Sequence, residues 1–228
     1  MLTIILHNAS LELVNENTCD IQHMSIVNDS KRRGKNPNEL LLDISVHQSS
    51  ILPDKLPFSG RPDLVHIFLL QYHHIMKILP DEMKANIKLY VHTKNEQIFF
   101  VPQSWRVPVN YIRFRGLMEK FLFEQGIKIT EELQLLLEES NLQFFIEKIN
   151  PDKIINLTEK GVKTNILNQV LLNYIKGSDH TMILIGGYQK GEIALQTKIK
   201  RPIENIQLIE RPTTAWMILN ILFTRFIN

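Results

Sequence analysis

Met182-Ile183-Leu184-Ile185-Gly186-Gly187 reads as a short apolar strand that stops on a glycine pair, and this stretch decides the fold class. A continuous β-branched and aliphatic run bounded by glycine is the pattern of a strand covered on both faces, as in parallel sheets. Working outward, Lys163–Lys176 has helical spacing with Gly177 as its stop, Asn205–Ile209 is a further strand, and Thr214–Ile227 closes as a helix. Before them, Phe144–Leu157 holds one or two strand-like pieces. Strands alternating with helices predict an α/β fold with a mostly parallel sheet flanked by helices.

The first two thirds carry the same signals more loosely. Met1–Leu6 reads as a first strand, and Ser10–Asn15 is helix-compatible. Asn28–Asn38 has turn chemistry with four positive charges and predicts a surface loop. Leu40–Val46 reads as a buried strand, and Gln48–Ser59, with two prolines and no periodicity, as loop. A helix begins at Gly60-Arg61-Pro62-Asp63, with Pro62 in the first turn, where its missing donor costs nothing. Leu64, Phe68, Tyr72, Ile75 and Leu79 form its apolar stripe, and Pro80 ends it. Lys88–Thr93 and Gln97–Val101 read as a hairpin, and Arg113–Gln125 as a helix with Gly126 past its end. Thr130 is placed as the cap of another helix running to about Glu139. The whole reads as one domain over residues 1–228, with loop or hairpin insertions near 28–39 and 88–101.

Composition bounds the function only loosely. In 228 residues, 44% are apolar and 22% charged, which is ordinary globular usage and enough to fill a core. No segment approaches the run of about 18 apolar residues that a membrane span needs, and no basic region precedes the first apolar stretch. The reading is therefore no membrane and no signal peptide. The lone Cys19 has no internal disulfide partner and offers no cysteine metal cluster, which fits a reducing cytoplasm. A net charge of +2 does not announce a nucleic-acid binder. Only local clustering can do that.

Two places carry chemistry. The first is Gly186-Gly187-Tyr188-Gln189-Lys190-Gly191, where glycines let backbone turn sharply and approach a ligand at the carboxyl end of a strand. Spacing alone leaves a plain strand-to-loop turn open. No G-x-G-x-x-G fingerprint and no Walker loop is present. The second is a set of arginines: Arg61 with Asp63 two residues on, and Arg106 with Arg113 and Arg115, interleaved by Trp105, Tyr111 and Phe114. Guanidinium forks suit phosphates and base edges, and aromatics suit unstacked bases, although a solvated charged face fits the same spacing. Lys31, Arg32, Arg33 and Lys35 are either a phosphate contact or a solvated loop. His66, His73 and His74 share a helix without an acidic or cysteine companion, so no metal site is predicted. Gly-x-Ser-x-Gly is absent, and no Cys-His pair offers a hydrolytic nucleophile.

These residues also carry a resemblance. Ala9-Ser10-Leu11-Glu12-Leu13, Leu42-Asp43-Ile44-Ser45, Gly60-Arg61-Pro62-Asp63-Leu64-Val65-His66, Val91-His92-Thr93 and Arg113-Phe114-Arg115-Gly116-Leu117-Met118-Glu119 occur in the order found in the pseudouridine-N1 methyltransferases of small-subunit ribosomal RNA. The chain resembles that family over nearly its whole length, and its shorter archaeal members in particular. The resemblance implies a SPOUT fold with a C-terminal trefoil knot, S-adenosylmethionine as cofactor, a homodimer, small-subunit rRNA as partner, a role in ribosome biogenesis, and the cytoplasm. It implies cofactor contacts, largely through backbone, at Leu157, at Gly186, Gly191, Glu192 and Ile193, and at Leu208, Ile209, Glu210, Arg211, Pro212 and Thr213. It implies RNA contacts at Arg61, Arg106 and Arg113, and it places Arg61 and Asp63 at the reacting base, Asp63 either as base or, the reading preferred here, as the group that fixes Arg61.

Two departures stand out. Where the family usually has another arginine, this chain has Val109, leaving that RNA contact missing or taken over by Asn110 or Arg115. The last segment, usually Leu-Ser-x-Tyr-Pro-Leu, is Leu208-Ile209-Glu210-Arg211-Pro212-Thr213. A rival reading from the same family is a mainly non-catalytic rRNA-binding assembly factor. A Rossmann-type methyltransferase is disfavoured because no glycine-rich loop follows the first strand.

Overall fold

Every residue of β1 (Leu2–Ala9) is buried, which requires neighbours on both edges and layers on both faces. The computed structural model describes residues 1–128, 134–139, 141–163, 179–190, 195 and 199–227. Among them β1 lies between β2 (Ile87–Thr93) and β7 (Thr181–Gly186), parallel to both, with Ile5 opposite Tyr90 and Leu184. Beyond β7 come β6 (Lys153–Lys163) and β8 (Glu204–Gln207), again parallel. On the other side β3 (Ile98–Val101), β5 (Gln134–Glu139) and β4 (Gly126–Lys128) continue the sheet antiparallel. The order is β4-β5-β3-β2-β1-β7-β6-β8. The expected α/β fold with a mostly parallel sheet is the fold observed.

The two-residue period of a strand sorts the core. Ile4, Leu6, Ile183 and Ile185 face one layer, where α3 (Pro62–Ile78), α5 (Tyr111–Glu124) and α7 (Ala215–Ile227) supply Phe68, Tyr72, Phe114, Phe121, Leu219 and Phe223. Ile5, Met182 and Leu184 face the other, with Leu142, Phe145 and Ile146 of α6 (Leu142–Ile149). Between β1 and α3 the chain builds a small lobe around Val14, Cys19, Ile26, Leu40, Leu42 and Ile51. It contains α1 (Met24–Arg33) and the one-turn α2 (Ile44–His47). Another single turn, α4 (Asp81–Lys84), follows α3.

Several sequence expectations need correcting. Asn28–Asn38 is not a loop throughout: α1 runs to Arg33 and Gly34 stops it in the left-handed region at φ 62°. Leu40–Val46 is not a strand, because Asp43 accepts from the Ser45 amide (2.9 Å) and opens α2, leaving one isolated bridge between Leu41 and Leu13. Ser10–Asn15 is likewise not helical. Residues 134–139 are strand β5 instead of helix, since pairing with β4 and β3 outweighs their leucine-rich helix propensity. Thr130, the expected cap, residues 164–176 of the expected helix and its stop Gly177 lie outside the described residues, and Lys163 ends β6. The strand expected within Phe144–Leu157 begins only at Lys153, after α6. At the end of α5 the left-handed residue is Gln125 (φ 57°), one before Gly126.

Candidate active site

The parallel strands end on one side of the sheet, and a cleft of about 760 Å³ opens there. That volume suits a small-molecule ligand, and the carboxyl ends of parallel strands are where such ligands sit. Leu157 at the turn of β6, Gly186 at the end of β7, and Leu208, Ile209, Arg211, Pro212 and Thr213 after β8 all line it. Segments separated by about 50 residues of chain thus meet in one wall. Arg61 and Leu64, from the start of α3, line it as well. Glu210 is exposed and its carboxylate pairs with the Lys163 ammonium. Gly191, Glu192 and Ile193 lie outside the described residues.

The glycine pair is required by space. A Cβ on Gly187 would stand 2.8 Å from the Ala9 Cα, closer than real Cβ atoms come. The Gly187 amide donates to the His7 carbonyl (2.8 Å), and the Ser10 amide donates to the Gly187 carbonyl (2.9 Å), so the loop is stitched to the end of β1. A Cβ on Gly186 would meet the Tyr188 ring at 2.9 Å. That ring lines the cleft and packs between His7 and Phe58, with centroids 5.9 and 5.5 Å away. The lining also carries polar side chains, Asn156, Thr158, Gln189 and Arg211 among them, but at Gly187 only backbone fits, which suits a cofactor held there through peptide groups.

Arg61 is held differently. Its Nε and Nη2 donate to Asp63 Oδ1 and Oδ2, both at 2.8 Å, a bidentate fork closed over the first turn of α3. That hydrogen-bonded pair keeps the guanidinium charged, with its pKa raised further. Both oxygens of Asp63 are committed to Arg61. Behind Arg61 stands Gly60 at φ 66°, where a Cβ would lie 2.9 Å from Ile51 Cδ1. The Gly60 amide donates to Glu12 Oε1 (2.9 Å), and its carbonyl accepts from the Ile44 amide (2.8 Å).

Arg106, Val109 and Arg113 do not line the cleft. All three are exposed around the first turn of α5, where the Asn110 side chain caps the helix by accepting from the Arg113 amide (3.1 Å). Two apolar side chains, Val109 and Ile112, stand exposed between the arginines at 78% and 70%. Arg115 is half-buried and faces Asp43 (3.8 Å), so it is occupied structurally rather than offered to a ligand. Tyr111 donates its hydroxyl to Asp43 (2.6 Å), and burial first, then this bond, pushes the phenol's pKa well above its usual range. Tyr111 and Asp43 both act electrostatically on Arg61, which ties the arginine face of α5 to the cleft.

Two cations of the small lobe's basic cluster, Arg33 and Lys35, are spent inside the protein, whereas Lys31 and Arg32 are exposed, Arg32 paired with Asp29. Arg33 forks onto both oxygens of Glu119 (2.5 Å each), and Lys35 reaches the same carboxylate (2.6 Å). Burial would raise the Glu119 pKa, but these cations and the Leu41 amide hold it below the usual value. His66 stacks on Phe114 (centroids 4.5 Å) and bonds the Pro108 carbonyl (2.6 Å) as a core residue. Among the described residues no group of three or more His, Cys, Asp or Glu is arranged to hold a metal ion.

Sequence reasoning assigned no role to Asp43, Glu12 or Tyr188, and it read Tyr111 as an aromatic for unstacked bases, whereas its ring lies against His66 and its hydroxyl is bonded to Asp43. Asp43-x-Ser45 is a helix-start signature that was available. Glu12 in a buried run gave only a weak signal.

Comparison with known proteins follows the same line. A family model described as EMG1/NEP1 methyltransferase matches residues 4–227. The chain is 34% identical over 230 residues to the ribosomal RNA small subunit methyltransferase Nep1 of Thermococcus onnurineus, covering 99% of this chain and 98% of the relative. To the protein of the same name from Pyrococcus furiosus it is 36% identical, covering 96% and 93%. Its fold superposes on the crystal structure of Archaeoglobus fulgidus Nep1 bound to S-adenosylhomocysteine, with a TM-score of 0.79, 26% identity, and 98% and 96% of the two chains covered.

Proposed function

This chain belongs to the EMG1/NEP1 methyltransferase family, and from that premise we propose that it transfers the methyl group of S-adenosylmethionine to nitrogen-1 of a pseudouridine in small-subunit rRNA. One observation carries the reading. The three segments that the family resemblance assigns to the cofactor converge on one cleft, and Arg61 lines it too. A relative of the same fold holds S-adenosylhomocysteine, the product such a transfer leaves.

When bound, the cofactor supplies a methyl group activated by its sulfonium charge. The chain's own residues do the rest by placement, which can supply several kcal/mol of a bimolecular barrier. Pseudouridine is joined through carbon, so its nitrogen-1 carries a proton and is free of the glycosidic bond. The base reaches the cleft from a loop or by flipping out of its helix. Arg61, permanently charged, favours the anionic form of the base as that proton leaves. Asp63 orients Arg61, because acting as a base would cost it the bidentate fork. Arg106 and Arg113 hold RNA phosphates outside the cleft, and Val109 leaves a gap in that row.

The remaining expectations belong to the same proposal. A SPOUT knot is one of them, and the parallel strand order β7-β6-β8 is in keeping with it. A homodimer is supported by apolar side chains left exposed on the α3/α7 layer, Ile67 and Met217 among them. A cytoplasmic setting and a role in subunit biogenesis follow from the substrate and from the free thiol of Cys19. No described helix is long and apolar enough to cross a membrane.

The test is mass spectrometry of an rRNA hairpin, made with and without pseudouridine, after incubation with S-adenosylmethionine. A gain of one methyl group only in the pseudouridine hairpin is expected. Methylation of neither hairpin, by a protein that binds both, favours the assembly-factor reading.

A further inference from the structure

Glu12 is fully buried, and leaving a carboxylate out of water costs several kcal/mol unless the surroundings compensate. Burial moves its pKa up to about 7, with the Gly60 amide, Lys94 and Ser59 opposing the shift. The groups around it come from three places: Lys94 from the β2–β3 turn, Ser59 and Gly60 from the turn before α3, and Cys19 from the small lobe. Lys94 donates to the Ser59 hydroxyl, and Lys55 and Asp54 act on Lys94 from outside. Nothing in the cleft touches Glu12, and the transfer chemistry does not use it.

What it touches is the residue that precedes Arg61. Gly60 is held from both sides: its N–H by Glu12 Oε1 (2.9 Å) and its carbonyl by the Ile44 amide (2.8 Å). Two fixed peptide planes leave φ and ψ of Gly60 no freedom, and those angles decide where Arg61 starts. Glu12 is itself fixed, since its carbonyl accepts from the Leu42 amide (2.9 Å). Two residues earlier Ser10 binds the Gly187 carbonyl, so residues 10–12 join the glycine wall to the arginine wall. The Asp63 fork sets only the far end of the Arg61 side chain.

We propose that Glu12 is a positioning residue of the methyl transfer: its carboxylate clamps the Gly60 peptide and thereby aims Arg61 into the cleft. The proposal rests on the reading of Arg61 as an RNA-facing arginine. A carboxamide keeps an acceptor at the same place, so Glu12→Gln preserves the clamp, whereas Glu12→Ala removes it.

The experiment compares wild type, Glu12→Ala, Glu12→Gln, Arg61→Ala and the Glu12→Ala/Arg61→Ala double variant for affinity toward the rRNA hairpin, with S-adenosylhomocysteine affinity measured by calorimetry. Glu12→Ala is expected to weaken RNA binding about 10-fold, Glu12→Gln less than about threefold, and the double variant no more than Arg61→Ala alone, because both act through one contact. Cofactor affinity stays at the wild-type value throughout. An Arg61→Ala variant that binds RNA normally sinks the arginine reading and this proposal with it. If Arg61→Ala is impaired while Glu12→Ala binds normally, or if the two losses multiply, only the role of Glu12 fails.

Should Glu12→Ala not fold, NMR decides with wild type and Glu12→Gln. The Gly60 amide resonance is expected to move with pH around 7 in wild type and to stay flat in Glu12→Gln, with the Arg61 Nε–H resonance alike in both. A Gly60 amide that ignores pH in wild type overturns the clamp.

Discussion

The two walls of the cleft are built from different parts of the chain. On the side of Leu157, Gly186 and Leu208 the lining includes a glycine pair, and at Gly187 a Cβ has no room beside Ala9. On the side of Arg61 a side chain lines the cleft, and its guanidinium is held by the Asp63 carboxylate. A backbone wall tolerates change in residue identity and fails when a Cβ intrudes. A side-chain wall fails by steps, as each partner is removed. The family resemblance assigns backbone contacts to Leu208–Thr213, which tolerate a change of residues there, and a side-chain contact to the position of Val109, which does not.

The sharpest way to break this comparison is Gly186→Val. Its added carbons run into the Tyr188 ring, and S-adenosylhomocysteine affinity is expected to fall about 100-fold or more, close to 2.7 kcal/mol. Calorimetry on a variant with unchanged thermal unfolding checks it, and unaltered affinity refutes the backbone wall. Next comes Arg61→Ala, expected to cost about 10- to 100-fold in RNA affinity from the loss of charge-assisted bonds. Arg106→Ala, on the exposed part of the same face, is expected to cost less and to lower the slope of log affinity against log salt by about 1. Equal salt slopes in wild type and Arg106→Ala contradict a phosphate contact there.

Asp63→Asn separates orienting from proton abstraction. Asparagine keeps an acceptor for the fork, so the single-turnover rate at saturating RNA is expected to stay within about 10-fold of wild type. A general base predicts a loss of about 100-fold or more that rising pH partly rescues, since the substrate then ionises unaided. Such a pH-rescued loss with intact RNA affinity reverses the assignment. The smallest effect expected is at Glu210, whose exposed pair with Lys163 contributes little. Glu210→Ala is expected to change cofactor affinity less than about twofold, given that exposed ion pairs are worth about 0–1 kcal/mol. A larger loss means that this side chain, and not only its backbone, belongs to the wall.

Much of this was legible in the chain. Leu2–Ala9 and Thr181–Gly186 are buried strands because aliphatic runs of that length have nowhere else to go. Proline at the start and end of α3 marked its bounds almost to the residue. Arg61 and Asp63, two apart at a helix start, announced the fork. By contrast, residues 134–139 looked helical and Leu40–Val46 looked extended. In the first case the neighbouring β4 and the more distant β3 supplied partners. In the second, one buried Asp43 found the Ser45 amide and turned the chain.

The basic run of the small lobe shows the same limit from the other side. Its charges suggested a nucleic-acid contact or a solvated loop, and a carboxylate more than 80 residues away consumed two of them. Burial periods, caps and glycine stops are set by residues within about four positions of each other, so the chain alone specified the central strands, the helices α3, α5 and α7, and the family. Which loops meet, which cations are already neutralised, and that Glu12 reaches Gly60 across 48 residues were decided by tertiary structure. Those contacts form only when the sheet brings distant segments together, because a hydrogen bond or ion pair is specified by distance in space and leaves no period in the chain.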